Sequence, residues 1–372
     1  MTNRIPAEVF PPGKVLQEEL ETRGWSQVDL AAILGRPPRL VNEIIKGKRA
    51  ITPETAHGLG EALETGPELW MNLESAYQLS VVRIERTSIG KRAQIFGRFP
   101  VREMQRRGWI PVTSSVNTLE RNLLTFFGID SLDSELGVAH AAKRTSYGKI
   151  TAQQAAWLSR VRYLASNLKV DKYVEEDLRK LYPKLRSFAE RLEDLRHIPA
   201  VLSTIGIRLV IVEPLPGSKI DGACLWLSDM EPVVALSLRY DKHDMCCHAL
   251  FHELDHVENR EGQSAPMLDI DLVALDVEDS VRPIEERANN NAAERLIPKK
   301  ELHAFVTQAN NSYSEFLILS FAKKMKIHPG IVVGQLQHQG LIPWSSYNYL
   351  KAKVRNVITE TALTDGFGKL VG

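Results

Sequence analysis

The sequence predicts a multidomain α+β protein. An all-α N-terminal helix-turn-helix bundle is expected over residues 1–80 and a helical connector over 81–197. An α+β domain with a small sheet and a metal-binding helix follows over 198–300, then a helical region over 301–372. Three observations lead there. A chain of 372 residues exceeds the usual size of one domain, and 44% hydrophobic with 25% charged residues is the composition of a globular protein. The first eighty residues carry helix caps and two short helical patterns separated by a tight turn. Past Ile198 the pattern changes to β-branched runs that lead into His252-Glu253-Leu254-Asp255-His256.

Composition and charge narrow the function classes. The net charge is +1, so affinity for nucleic acid has to come from a local basic patch. No stretch approaches the roughly 18 to 20 apolar residues of a membrane span, and Met1 to Glu8 lacks the apolar core of a signal peptide. No membrane partner and a cytoplasmic location are therefore expected. Cys224, Cys246 and Cys247 are odd in number and lack C-x-x-C spacing, which points to core thiols and away from a disulfide framework or a cysteine-ligated zinc.

Taken in order, Gly24 to Gly35 reads as a capped helix, with Ser26 as N-cap, Asp29 at the third position and Gly35 as the stop. A second helix over 37–46 buries Leu40, Val41, Ile44 and Ile45. It leaves Arg36, Arg39, Asn42, Lys46, Lys48 and Arg49 on the other side, and a basic, amide-bearing second helix is what enters a major groove. The alternative is a plain helical bundle with a solvated basic face. About residues 10 to 80 resemble the Cro/C1-type (XRE) helix-turn-helix domain, specifically its HigA-type antitoxin branch. The resemblance is carried by Leu16 to Arg23, Ser26-Gln27-Val28-Asp29-Leu30-Ala31, Ile45-Lys46-Gly47-Lys48-Arg49, Ile51 to Ala56 and Pro67 to Leu73. It implies binding of double-stranded operator DNA as a homodimer, Gln27 on phosphate, Arg39 and Asn42 among the base readers, and a toxin as a further partner. The paired Pro37 and Pro38 are unusual at the start of such a helix because they offer no N–H to phosphate.

Residues 81–200 show no catalytic constellation. Helices are expected over 100–107, 116–127, 151–168 and 175–195, with a turn-rich break over 128–149. Arg102, Arg106 and Arg107 read as a solvated helix face in preference to an extension of the DNA surface. His140 and His197 are isolated and read as structural.

Three β-branched runs follow, Gly206 to Val212, Gly222 to Leu227 and Pro232 to Leu238. The next segment carries the H-E-x-x-H pattern, which chance supplies in a chain this long only on the order of once in a hundred. On a helix, His252 and His256 lie about 6 Å apart along the axis and share a face, so both imidazoles reach one cation. Glu253 flanks that cation as a general base for a water whose pKa the metal lowers to about 7. His248 shares the face, but it lies about 12 Å from His256 along the axis, so the three histidines cannot hold one tetrahedral ion. His248 is expected to support the site from outside it.

This order, with Ile220-Asp221-Gly222-Ala223, Leu250 to Leu254 and the run Glu285 to Pro298 of form E-x-x-A-N-x-x-A-A-x-x-L-x-P, resembles the ImmA/IrrE zinc metallopeptidases. The likeness covers roughly 198–300 and implies a zincin-like fold, a catalytic Zn2+, and Glu285 as third ligand beside His252 and His256. Glu286, about 100° around the helix, and Glu294, more than two turns on, are the lesser candidates. Two departures stand out: Asp255 replaces a glycine, and Met245-Cys246-Cys247-His248-Ala249 replaces a bulky apolar stretch with a Thr. The expected activity is hydrolysis of a peptide or repressor substrate, with Glu253 as the catalytic base. The strand Val233 to Leu238, or its neighbour at Cys224, is expected to align the substrate by β-addition. The fusion suggests a DNA-binding transcriptional regulator that cleaves itself or a relative. The alternative is a HigA-like antitoxin or repressor whose metal domain senses a ligand or binds a toxin without catalysis. After Pro298, helices are expected over 316–325 and 329–339, and His328 and His338 are given no ligand role.

Overall fold

The computed structural model describes residues 10–81, 86–134, 136, 150–270 and 282–367, in two compact units, Met1–Gly90 and Lys91–Gly372. His140 and most of the break expected over 128–149 lie outside the described residues.

The first unit holds α1 (Pro12–Arg23), α2 (Gln27–Ile33), α3 (Pro38–Ile45), α4 (Pro53–Ala62) and α5 (Pro67–Val81). Ser26 starts α2 with a reciprocal cap: its hydroxyl accepts from the Asp29 N–H at 3.2 Å, and the Asp29 carboxylate accepts from the Ser26 N–H at 2.7 Å. Gly35 then turns the chain at φ 62°, a conformation glycine adopts without strain. Pro37 caps α3 and Pro38 opens it, where the fixed φ of the ring suits a first helical turn. Leu16, Leu20, Leu30, Val41, Ile44, Leu59, Leu63 and Trp70 make one core. The Trp70 indole donates to Thr65 Oγ1 at 2.9 Å, so its polar edge is satisfied inside.

In the second unit the helical segment contains α6 (Arg86–Arg98, which begins before the unit boundary), α7 (Val101–Arg106), α8 (Val116–Phe127), α9 (Ala152–Ser166) and α10 (Glu175–Phe188). A 3-10 turn, Leu192–His197, and α11 (Ile198–Ser203) lead into β1 (Arg208–Val212), β2 (Ile220–Trp226) and β3 (Pro232–Leu236). Next come α12 (His243–Glu258), β4 (Met267–Ile270), α13 (Arg282–Leu296), α14 (Lys299–Ala309), α15 (Glu315–Met325), α16 (Pro329–His338), α17 (Arg355–Ile358) and β5 (Leu363–Asp365). The strands form one mixed sheet in the order β4-β2-β3-β1-β5, with β1 parallel to β3 and β5, and β2 antiparallel to β3 and β4.

Both faces of this sheet are covered, which is why its strands read as continuous apolar runs. On one face Val210, Val212, Ala223, Leu225, Val233 and Ala235 pack with Ala155, Trp157, Leu158 and Val161 of α9. The Trp157 indole donates to the Val212 carbonyl at 2.9 Å. The alternate residues Leu209, Ile211, Cys224, Val234 and Leu236 face Leu250, Phe251 and Leu254 of α12. That layer fixes the H-E-x-x-H helix against the sheet.

Three features differ from the sequence expectation. Among the described residues the sheet has five strands, of which β4 and β5 are too short to show a pattern in sequence, and β5 lies in the segment expected to be helical. Asp365 at its end is fully buried, accepting from the Trp109 indole at 2.8 Å and pairing with Arg160 of α9. Second, α9, expected within a connector, forms a layer of the sheet domain. Third, Arg107 is not on a solvated face. It is buried, donating to the carbonyls of Glu213 and Pro214 at 2.6 and 2.9 Å and to the Glu103 carboxylate at 2.7 Å, so α7 is bolted to the loop after β1.

Candidate functional site

Helix α12 presents His252 and His256 one turn apart, and α13 brings Glu285 to them. Glu285, Ala288, Asn289 and Ala292 share one face of α13, and Ala288 and Ala292 are fully buried, so small side chains keep α13 close to α12. This is the structural content of the E-x-x-A-N-x-x-A run. His252 Nε2 lies 3.0 Å from His256 Nε2 and 3.0 Å from Glu285 Oε2, and His256 Nε2 lies 3.6 Å from Glu285 Oε2. Tetrahedral zinc with bonds of about 2.0 to 2.1 Å spaces its ligand atoms by roughly 3.3 Å, so the triangle has the right size for one ion.

The outer nitrogens of both rings fix which way the lone pairs point. His252 Nδ1 lies 3.0 Å from Asn289 Oδ1, and His256 Nδ1 lies 2.7 Å from Glu261 Oε2; both partners are acceptors, so each Nδ1 is the protonated nitrogen. Each Nε2 is then left with a lone pair aimed inward. Burial, reinforced by His256 and His248, holds the His252 imidazole far below its usual pKa, so it is neutral and able to ligate. Burial also pushes the Glu285 carboxyl up to about 8, against the smaller opposing effect of Arg287. Converging lone pairs, a buried carboxylate and the triangle of distances together fit a zinc-like cation.

Glu253 is wholly buried, and neither carboxylate oxygen has a hydrogen-bond partner among the described residues. Burial, with Asp269 and Asp221 nearby, raises its pKa well above the usual carboxylate range. Its space is made by Gly222 of β2, where a Cβ would stand 2.5 Å from Glu253 Oε1. The Asp221-Gly222-Ala223 phrase is therefore a cradle for this carboxylate. Asp269 of β4 offers an oxygen that, with His252 and Glu253, makes a second trio of potential ligand atoms within 4.8 Å of one another.

Sequence reasoning missed three supporting residues. Asn289 accepts from His252 and also stands 3.1 Å from His248 Nε2, so His248 braces the site through Asn289. Glu261 and Asp269 carry no motif spacing that could have marked them. Asp255, treated in the sequence only as a tolerated replacement, is completely buried and bonded to Arg287 at 3.0 Å, Arg295 at 2.8 Å and Asn291 at 2.9 Å of α13. Arg287 also holds Glu261 at 2.6 and 2.9 Å. Glu286 is exposed, and Glu294 is exposed and accepts from the Lys299 N–H at 2.8 Å. Cys224, Cys246 and Cys247 are all buried free thiols, and burial pushes Cys246 up to about 12. The expectation of β-addition at β3 or Cys224 is corrected: β3 and β2 are paired on both sides, and β4 is the outer strand beside Glu253 among the described strands.

In the first unit Arg36, Arg39, Lys46, Lys48 and Arg49 are exposed on and around α3, while Gln27 and Asn42 are half-buried. Asn42 Nδ2 donates to Gln27 Oε1 at 2.9 Å, joining the middle of α3 to the start of α2. Arg36 pairs with Glu54, and Arg39 and Arg49 both pair with Glu43, at 2.7 and 3.5 Å. Such exposed pairs are weak and exchange readily for phosphate. Among the described residues no helix is long and apolar enough to cross a membrane.

A family model described as Helix-turn-helix matches residues 16–70. Virulence-associated protein I of Dichelobacter nodosus is 35% identical over 88 residues, 23% of this chain and 80% of that protein. The uncharacterized HTH-type transcriptional regulator YddM of Escherichia coli (strain K12) is 32% identical over 18% of this chain and 73% of its own length. Among solved structures, the Pseudomonas aeruginosa antitoxin HigA with higBA promoter is 34% identical, covering 20% of this chain and 80% of that one, with a TM-score of 0.19.

Proposed function

This chain belongs to the helix-turn-helix family, and from that premise we propose that it is a DNA-binding transcriptional regulator whose second unit is a zinc-dependent peptidase of the ImmA/IrrE type. The first unit binds operator DNA as a homodimer, with Lys46, Lys48 and Arg49 on phosphate and Arg39 and Asn42 at base edges. The observation that carries the hydrolytic reading is the inward triangle of His252, His256 and Glu285 beside a buried, unpartnered Glu253. Bound there, zinc supplies Lewis acidity for water and for a peptide carbonyl. Glu253 takes the proton of the attacking water and delivers it to the leaving amine, its two oxygens having no other hydrogen-bond partner among the described residues. Asn289 and Glu261 keep the imidazoles in the ligating tautomer. The substrate is this chain or a related repressor.

A second reading is a regulator whose centre senses a metal or contacts a toxin without cleavage; the near-complete burial of the trio favours it. Incubation of the zinc-loaded chain with itself and with a random peptide library separates the two. Cleavage lost in Glu253→Gln, with zinc retained, supports hydrolysis; zinc uptake without any cleavage supports the sensor. Salt-dependent binding to its own upstream DNA tests the first unit, and its absence overturns the regulator reading.

A further inference from the structure

Beside the metal trio lies a cavity of about 310 Å3 that the chemistry above leaves unassigned. Leu238, Met245, Cys246, Leu296 and Ile331 give it apolar walls, and Asn289 separates it from His252. Met245, Cys246, His248 and Ala249, the stretch that departs from the resembled family, all line it, whereas Cys247 does not. The departure thus falls on the wall of one cavity.

We propose that this cavity receives a large apolar side chain of a peptide substrate laid along the outer edge of β4, next to the bond to be cut. The inference rests on the hydrolytic reading and names the substrate class of that site. Its volume stands at the lower end of the range for small-ligand pockets, about 300 to 1,000 Å3, which suits one bulky side chain. Two of the carboxylates around it are already in ion pairs, Asp221 with Arg239 at 3.4 Å and Asp244 with Lys351 at 2.6 Å, and Asp241 accepts from the Val354 and Arg355 N–H groups. A charged side chain would therefore meet no uncompensated partner in those pairs, while an apolar one gains burial against Leu238, Met245 and Ile331. Placement agrees. Met267 and Asp269 alternate with Leu268 and Ile270 along β4; Met267 packs with the α12 layer and Leu268 and Ile270 with the α9 layer. An added strand presents every second side chain to the α12 face, and α12 residues line the cavity.

The test uses the zinc-loaded full chain and three amino-acid hydroxamates, those of glycine, leucine and phenylalanine, which chelate the metal and differ only in side chain. Leucine and phenylalanine hydroxamates are expected to bind at least about tenfold more tightly than glycine hydroxamate, from ~0.8 kcal/mol per buried methylene. Ala249→Leu, which fills the cavity, removes the preference while leaving zinc content and glycine hydroxamate affinity unchanged. Met245→Ala, which enlarges it, shifts the preference towards the bulkier phenylalanine and serves if Ala249→Leu fails to fold. Glycine hydroxamate bound as tightly as the other two overturns the pocket alone. Absence of zinc uptake, or of any hydroxamate binding to the loaded chain, overturns the hydrolytic reading and this inference with it.

Discussion

Replacing Asp255 by alanine is expected to loosen the helix pair that builds the proposed metal centre. The carboxylate is fully buried and accepts from Arg287, Arg295 and Asn291 of α13, so with the Glu258–Arg295 pair it ties α12 to α13. Removing one partner of a buried ion pair costs about 3 to 5 kcal/mol because the other charge is left uncompensated. Here Arg287 keeps Glu261 and Arg295 keeps Glu258, and both guanidiniums are partly exposed, which lowers the expectation to roughly 2 to 4 kcal/mol. For a unit of this size that is a fall in Tm of roughly 5 to 10 °C. A structural tie alone would leave metal affinity below Tm unchanged, but the tie continues through Arg287 to Glu261 and on to His256 Nδ1. Arg287→Ala is therefore expected to weaken zinc binding by about 10- to 100-fold in a chelator competition on folded protein, with Arg287→Lys recovering part of it. Loss of exposed Glu286 serves as the control and changes neither quantity. An Asp255→Ala chain within about 1 kcal/mol of the parent in urea, or Arg287→Ala with unaltered zinc affinity, refutes the reasoning.

Gly222→Ala puts a Cβ 2.5 Å from Glu253 Oε1, so the carboxylate must move; peptide hydrolysis is expected to fall by about 100-fold while zinc content, measured by metal analysis, holds. In the first unit, Arg39→Ala is expected to cost about 1 to 3 kcal/mol of operator affinity and relax specificity at one base pair. Lys46→Ala instead weakens all sequences alike and reduces the salt slope by about 1, both read by titration at several salt concentrations. Neither should shift Tm appreciably, since the Arg39–Glu43 pair is exposed. Hydrogen bonds from Arg106, then Arg107, hold Glu103 below its ordinary pKa of 4.5 against the opposing effect of burial. A depressed carboxylate pKa contributes stability above the unfolded value that is lost as pH falls through the folded value. Urea midpoints of the parent and Glu103→Gln should therefore differ at pH 7 and converge below about pH 4.5; a constant gap contradicts the assignment.

What the sequence made legible followed from periodicity and local chemistry. Ser26 with Asp29 marked a helix start that the structure forms with both hydrogen bonds, and Val116 to Phe127 reads as a helix with the observed ends. The four-residue spacing places His252 and His256, whereas Glu285 follows only from the resemblance carried by the run Glu285 to Pro298. Long-range geometry stayed hidden. Strands β4 and β5 are of four and three residues and pair through partners distant in sequence, so no pattern announces them. Glu261, Asp269 and the burial of Arg107 depend on where loops return, which residue type alone does not encode. Asp255 is the instructive case: in sequence it is a polar residue in a helix, and only the packing of α13 makes it a buried counter-ion for two arginines.

A zinc centre with three protein ligands and a separate base is proposed for this helix-turn-helix protein. Its most direct test is the zinc stoichiometry of the full chain and four variants, by metal analysis after dialysis. One zinc per chain is expected in the parent and in Glu253→Gln, with loss in His252→Ala, His256→Ala and Glu285→Ala. Zinc retained without Glu285 but lost in Glu253→Gln would move the ion to the His252, Glu253 and Asp269 trio and contradict the assignment of Glu253 as base.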